Sequence, residues 1–369
     1  MEGRNRQLNA LDRLYLERAC ELAARGLGNT SPNPPVGAVI VSNGRTLGEG
    51  YHHYAGDAHA EVCALREAGD ARGATIYVSL EPCDHYGRTP PCSQALIDAG
   101  IARVVVGAVD PNVLGAASGV ETLRSAGVEV EVADLRCAAV LIEPFAYALS
   151  MQRPYISLKM AASRDGYIAE RSGRRHWLTG EESREFVRDL RIDHDAVMVG
   201  AGTIRVDNPR LTVRPAHHRA REYGRIVVCE SDPLDCNREV FASQSGYSRT
   251  IVIAPGGLRS AFRGLEDRAE LLFVGESPKL DLSAAMRALR HRGIQSILCE
   301  GGPTLAGGLI DADLVDRVYW LTAPMDLAGP DAVPMLRGHD LRSLQPSIRY
   351  DRVEQLGTDM MQSGVFNAR

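Results

Sequence analysis

The set His59-Ala60-Glu61, Pro82-Cys83 and Cys92 constrains this chain more than any other feature, because it supplies three metal-ligand side chains and one carboxylate. Local pattern says where they sit. Residues 74–80 are apolar and partly β-branched and read as a buried strand ending at Glu81-Pro82-Cys83. His59 opens a helix over 60–68 that stops at Gly69, and Cys92 opens another over 93–99 that stops at Gly100. The three side chains therefore belong at one strand end and two helix starts, where the positive ends of helix dipoles help to hold thiolates ionised.

The residue types fit one chemistry. Hydrolytic removal of an amino group from an aromatic ring needs a hydroxide at neutral pH, and zinc supplies one by lowering the pKa of a bound water to about 7. A neutral imidazole from His59 and thiolates from Cys83 and Cys92 form a soft set that suits zinc over magnesium or calcium. Three protein ligands leave the fourth tetrahedral position open. Glu61 is placed to take the proton of the water and pass it to the ring and the departing amine. Each cysteine taken singly reads more simply as core packing. It is the order of the four residues, with Pro82 beside Cys83, that matches the signature of zinc deaminases. One spacing departs from that signature: eight residues, 84–91, separate the two cysteines in place of two.

A length of 369 residues predicts two domains of ordinary size. With 44% hydrophobic and 24% charged residues, neither disorder nor a membrane span is expected. The formal charge of −5 gives no basic footprint for nucleic acid, which disfavours enzymes acting on RNA or DNA. Residues 8–28 are interrupted by Asp12, Arg13, Glu17, Arg18 and Glu21 and do not read as a signal peptide. Eight sparsely placed cysteines suit a reducing cytoplasm, and the six outside the ligand set read as small apolar core residues.

Periodicity predicts an amphipathic helix over 8–26 and a hairpin turning at Asn43-Gly44. Strands at 74–80, 102–109 and 128–133 alternate with helices at 60–68, 93–99 and 119–126, which implies a mostly parallel sheet with helices on both faces. After a linker at 150–153, strands at 154–160, 196–199, 225–229, 250–253, 270–274, 296–299 and 316–321 alternate with helices near 181–193, 283–292 and 304–310. This is a second α/β domain.

Two glycine turns in that domain, Gly200-Ala201-Gly202-Thr203 and Glu300-Gly301-Gly302-Pro303-Thr304, follow strands, and the second opens a helix. Such turns let backbone amides approach phosphate oxygens, although glycines at strand ends are more often plain turns. The chain has no Gly-x-Gly-x-x-Gly fingerprint, so an ordinary Rossmann domain is not expected.

The long insert between the cysteines, Asp84-His85-Tyr86-Gly87-Arg88-Thr89-Pro90-Pro91, resembles the loop of the bifunctional riboflavin-biosynthesis deaminase/reductase family, within the cytidine-deaminase-like superfamily. Ser31-Pro32-Asn33-Pro34-Pro35-Val36-Gly37 and Gly48-Glu49-Gly50-Tyr51-His52 extend the resemblance. So do Leu158-Lys159-Met160-Ala161-Ala162-Ser163-Arg164-Asp165-Gly166, His176-Trp177-Leu178-Thr179 and Val206-Asp207-Asn208-Pro209.

The resemblance implies an α/β architecture: a cytidine-deaminase-like α/β/α domain over 1–149 and a dihydrofolate-reductase-like α/β domain over 154–369. It implies zinc and NADPH as cofactors, a phosphorylated pyrimidine as substrate, a cytoplasmic location, no nucleic acid or membrane partner, and leaves room for a homo-oligomer. Carried over residue by residue, Glu61 and Asp207 are the catalytic acid/base groups, and His59, Cys83 and Cys92 hold the metal. Asn33, His52, Arg88, Thr89, Arg175, Arg191, Leu211, Arg214 and Glu300 contact substrate. Of these, Asn33 suits a pyrimidine edge through its donor and acceptor, and His52 and Arg88 suit a phosphate. Ala161, Trp177, Thr203, Asp207, Ser231, Gly302, Pro303, Thr304, Leu305, Ala306, Gly307 and Gly308 contact the dinucleotide.

Arg174-Arg175, Val113, Cys229-Glu230-Ser231 and Met325 depart from the family pattern, mostly in the second half. They motivate an alternative: a specialised paralogue of a riboflavin-like pathway with an active deaminase and an altered or idle reductase.

Overall fold

The structure, a computed structural model, describes residues 8–86, 90–112, 118–170, 178–213, 222–243, 247–327 and 329–366. The chain divides into two compact units, Met1–Ser150 and Met151–Arg369.

The first unit runs α1 (Ala10–Ala24), β1 (Gly37–Ser42), β2 (Arg45–Tyr51), α2 (Ala60–Ala68), β3 (Thr75–Val78), α3 (Cys92–Asp98), β4 (Arg103–Val106), α4 (Gly119–Ser125), β5 (Glu129–Val132) and α5 (Arg136–Ser150). Its sheet has the order β2-β1-β3-β4-β5. As expected, β3, β4 and β5 run parallel and β1 and β2 form an antiparallel hairpin, while the antiparallel pairing of β1 with β3 departs from the mostly parallel reading. The Asn43-Gly44 turn explains the first antiparallel pair, since both residues take positive φ, at 50° and 73°, as a tight hairpin requires.

Alternation along the strands divides the core between the two faces of the sheet. Ala38, Ile40, Ile76, Val78, Val104 and Val106 pack with residues of α2, α3 and α4, while Val39, Val41, Tyr77 and Val105 pack with Leu16, Ala19 and Leu22 of α1. A Cβ on Gly50 would lie 2.4 Å from the Ala60 carbonyl, so glycine lets α2 press directly on β2 and fixes where His59 enters. The sequence pattern over 136–149 predicts no element. α5 fills that stretch despite Pro144 within it, and contains the buried Ala138, Ile142 and Ala148.

The second unit contains β6 (Tyr155–Ser163), β7 (Tyr167–Ala169), α6 (Glu181–Asp193), β8 (Ala196–Gly200), α7 (Ala201–Asp207), β9 (Gly224–Val228), β10 (Thr250–Pro255), β11 (Ala269–Val274), α8 (Leu282–His291), β12 (Ser296–Cys299), α9 (Pro303–Asp311), β13 (Arg317–Ala323), β14 (Val333–Pro334), α10 (Leu341–Leu344), β15 (Ile348–Leu356) and β16 (Asp359–Phe366). Among the described residues, nine strands form one sheet in the order β11-β10-β9-β8-β12-β6-β13-β16-β15. The strands from β11 to β13 are parallel, and β16 and β15 close the edge as an antiparallel pair that the sequence reading did not include. Ala196 and Met198 face one core and Val197 and Val199 the other, which is why β8 reads as a continuous apolar run. No helix among the described residues is long and apolar enough to cross a membrane.

Candidate functional site

Three elements of the first unit deliver the metal-ligand set to one point. His59 is the N-cap of α2 with extended backbone, and its side chain makes no capping bond, which leaves the imidazole to point elsewhere. Cys83 lies beyond the end of β3, and Cys92 is the first residue of α3. One ligand atom from each lies within 4.8 Å of the other two. The atom of His59 is Nδ1, 3.2 Å from Cys92 Sγ and 3.5 Å from Cys83 Sγ, and the backbone amide of Cys92 donates to Cys83 Sγ at 3.4 Å.

Hydrogen bonding from Cys92, aided by His59, lowers the pKa of the Cys83 thiol against the effect of burial. Cys92 is pushed up in turn, first by its bond to Cys83 and then by burial. One imidazole and two sulfurs, all partly or fully buried, make a donor set that fits zinc.

Glu61, the second residue of α2, is buried at 3% exposure, and burial pushes its carboxyl up to about 7, with the Cys83 thiolate adding to the effect. It shares with His59 and Cys83 the lining of a cavity of about 460 Å³. Asn33 and His52 line the same cavity, as do His85, Asp110, Asn112 and Phe145, to which sequence reading gave no role. Phe145 belongs to α5 and had no signal, because Pro144 hid the helix.

His52 differs from expectation in its charge. Its Nδ1 is 3.0 Å from the Ala58 carbonyl, which can only accept, so Nδ1 carries the proton and Nε2 accepts from Asn33 Nδ2 at 3.3 Å. Burial lowers its pKa, which favours a neutral ring bonded to Asn33.

In the second unit, Glu300 follows β12 and is held by Arg191 from α6, with Nε to Oε1 at 2.5 Å and Nη2 to Oε2 at 3.1 Å. Lys159 of β6, which sequence reading left without a role, adds its Nζ at 3.5 Å from the same carboxylate. Arg191 also donates to the Thr212 carbonyl at 2.9 Å. Arg191 is thus anchored across the unit rather than exposed on a solvated helix face. Leu211 is 3% exposed with φ of 54°, a strained value for a leucine, and its side chain serves the core.

The two glycine turns meet. A Cβ on Gly302, the N-cap of α9, would lie 3.8 Å from Thr203 Oγ1 in α7. Pro303 at the first helical position has no amide hydrogen, and helix geometry leaves those of Thr304 and Leu305 without intrahelical acceptors. That cradle of glycine and helix start suits a phosphate-bearing dinucleotide. Within the expected cofactor segment the residues differ. Gly302, Pro303 and Gly308 are half-buried and Thr304 exposed, whereas Leu305, Ala306 and Gly307 are buried, the first two in the core.

Gly307 is glycine because a Cβ there would meet the Arg337 carbonyl at 2.3 Å, which is a packing reason. Ala161 is half-buried on β6, Ser231 is exposed beyond β9, and Asp207 ends α7 half-buried. Arg88, Thr89, Arg175, Trp177 and Arg214 lie outside the described residues.

Residues 10–108 match the cytidine and deoxycytidylate deaminase zinc-binding region, and residues 154–362 match the RibD C-terminal domain. The riboflavin biosynthesis protein RibD of Escherichia coli is 40% identical over 362 residues, covering 95% of this chain and 98% of its own. The chain belongs to the RibD family. The Aquifex aeolicus RibD is 37% identical over 96% of this chain and 98% of its own. Among solved structures, Acinetobacter baumannii RibD superposes with a TM-score of 0.81 at 35% identity, covering 97% of this chain and 99% of that one. A Thermotoga maritima diaminohydroxyphosphoribosylaminopyrimidine deaminase/5-amino-6-(5-phosphoribosylamino)uracil reductase does so with 0.83 at 33%, covering 96% and 99%.

RibD membership makes the chain a bifunctional deaminase and reductase of riboflavin biosynthesis, with zinc and NADPH as cofactors. The cytidine-deaminase-like and reductase-like α/β halves follow with it. None of these matches favours the specialised paralogue.

Proposed function

We propose that the first unit removes the 2-amino group of 2,5-diamino-6-ribosylaminopyrimidinone 5'-phosphate and that the second reduces its ribosyl chain to ribityl, in the cytoplasm. The observation that carries the reading is the convergence of His59 Nδ1, Cys83 Sγ and Cys92 Sγ beside a buried carboxylate in a cavity of small-molecule size. His59, Cys83 and Cys92 would hold zinc, which when bound supplies a hydroxide at neutral pH.

Glu61 takes a proton from the attacking water and delivers it to the ring nitrogen, then takes the second proton from the hydroxyl left on the ring carbon and delivers it to the amine, which departs as ammonia as the carbonyl forms. Its high pKa suits both directions of transfer near neutrality. Asn33, its donor Nδ2 fixed by His52, pairs with the pyrimidine edge, and Arg88 and Thr89 supply phosphate contacts from the insert between the cysteines.

In the second unit Thr203, Gly302, Pro303 and Thr304 cradle the dinucleotide, with Ala161, Trp177 and Ser231 as further contacts and Leu305, Ala306, Gly307 and Gly308 continuing the helix behind it. NADPH when bound supplies the hydride to C1' of the opened sugar. Asp207 exchanges the proton that accompanies it. Arg175, Arg191, Leu211, Arg214 and Glu300 surround the sugar phosphate. Glu300 stays ionised between Arg191 and Lys159 and so presents an acceptor to sugar hydroxyls.

Incubation of the diaminopyrimidine phosphate with the protein, with and without NADPH, followed by mass identification of products, tests both halves. A ribityl product with NADPH is expected. A deaminated ribosyl product alone, with NADPH present, overturns the second half of the reading, and recovery of unchanged substrate overturns the first.

A further inference from the structure

Glu81 is buried at 7% exposure between β3 and Cys83, and the reaction described above gives it no task. Its carboxylate is nonetheless fully engaged. Oε2 accepts from the Asp110 backbone amide at 3.2 Å, and Oε1 accepts from Ser118 Oγ at 2.5 Å and the Val120 amide at 3.0 Å. One side chain thus fastens the backbone both before and after residues 113–117. The fit is tight at the second end, where a Cβ on Gly119 would fall 1.9 Å from the Pro82 carbonyl.

The first end is a wall of the deaminase cavity, which Asp110 and Asn112 line along with Glu81. Asp110 Oδ1 accepts from the Asn112 amide at 2.9 Å, so the fastening at Asp110 is passed on to Asn112. Asn112 Oδ1 is buried and has no hydrogen-bond partner among the described residues. A buried acceptor left unmet costs about 1–3 kcal/mol, so a wall that holds one is suited to a ligand that donates to it.

The geometry points to Glu81 as a positioning residue for deamination: it sets the Asp110-Asn112 wall against the substrate while touching neither substrate nor metal. This rests on the reading that the cavity takes the diaminopyrimidine phosphate. Other carboxylates near the ligands serve differently. Asp84 is bonded to Ser93 Oγ and to Thr122 Oγ1 and ties α3 to α4.

Glu81→Gln on the full chain tests the assignment, because the isosteric amide has one acceptor oxygen and must release one of the two fastened ends. The expected result is a KM for the diaminopyrimidine phosphate raised about tenfold, the size of one lost hydrogen bond to a charged group, with kcat within about threefold. Zinc content per chain stays near that of the unsubstituted protein.

An unchanged KM with zinc retained overturns the proposal, as does loss of zinc, which would make Glu81 a support of Cys83. Should Glu81→Gln fail to fold, Ser118→Ala removes one donor and leaves the carboxylate in place. A rise of KM by about threefold then supports the assignment, and an unchanged KM overturns it. Unsubstituted protein that does not deaminate the substrate refutes the underlying reading instead, so the two failures are told apart.

Discussion

Arg191 and Glu300 form a two-point ion pair, Nε to Oε1 at 2.5 Å and Nη2 to Oε2 at 3.1 Å, at the hub of the reductase half. Burial alone would raise the Glu300 carboxyl, but Arg191 and Lys159 outweigh it and bring the pKa from 4.5 to about 2.

A depressed carboxylate pKa contributes stability that is present in full above the unfolded value and is lost as pH falls through the folded one. Glu300→Gln should therefore destabilise the second unit most near neutral pH, by about 3–5 kcal/mol, since Arg191 and Lys159 would face each other without a countercharge. The gap to the unsubstituted protein should narrow between pH 4.5 and 2. Thermal unfolding followed by circular dichroism across that range measures it, and a gap that does not vary with pH would contradict the pairing.

Glu61→Gln keeps shape and burial but removes the proton carrier. Deamination should fall by roughly 10²–10⁴-fold. Zinc content should not change, because Glu61 is outside the set of three converging ligand atoms. Metal analysis beside turnover decides the matter: loss of zinc in this variant would make Glu61 a ligand, and unchanged turnover would deny it any role.

Removal of the metal should separate the two reactions. The ligands all fall between residues 59 and 92, and the glycine cradle belongs to the other compact unit with its own cores. Dialysis against a chelator is expected to abolish deamination and to leave NADPH-dependent reduction of the deaminated intermediate within about twofold, a change of about 0.4 kcal/mol in barrier. NADPH oxidation read at a fixed enzyme concentration checks it, and parallel loss of both activities would show the halves to be coupled.

The sequence made the site more legible than the frame around it. His59, Glu61, Cys83 and Cys92 were readable because their residue types and order belong to one chemistry, and the helix starts and strand end that present them carry plain Gly and Pro punctuation. The antiparallel pairing of β1 with β3 was less readable, since an apolar run looks the same in a parallel or antiparallel pair. α5 was lost to Pro144, and Phe145 with it.

Lys159 and Glu81 were invisible for another reason. Each acts through a partner distant in the chain, Glu300 for one and Asp110, Ser118 and Val120 for the other, and no local pattern records such a meeting. The neutral state of His52 likewise depends on the Ala58 carbonyl and on burial, which composition does not report.

Two glycines of one motif should respond oppositely to the same substitution. At Gly302 backbone angles of −73° and 179° are open to any residue, and an added Cβ would stand 3.8 Å from Thr203 Oγ1, an ordinary contact. Gly302→Ala should fold normally but fill the cradle, raising the KM for NADPH about tenfold or more, a cost of about 1.4 kcal/mol or more, without touching deamination. At Gly307 the same methyl would sit 2.3 Å from the Arg337 carbonyl, so the helix or the segment at 337 must move, at a cost of about 1–3 kcal/mol. Gly307→Ala should therefore lower the thermal midpoint of the second unit and impair reduction only as far as the fold loosens. NADPH titrations and melting curves on both variants discriminate the roles, and a Gly302→Ala protein with unaltered NADPH affinity would remove that glycine from the cofactor site.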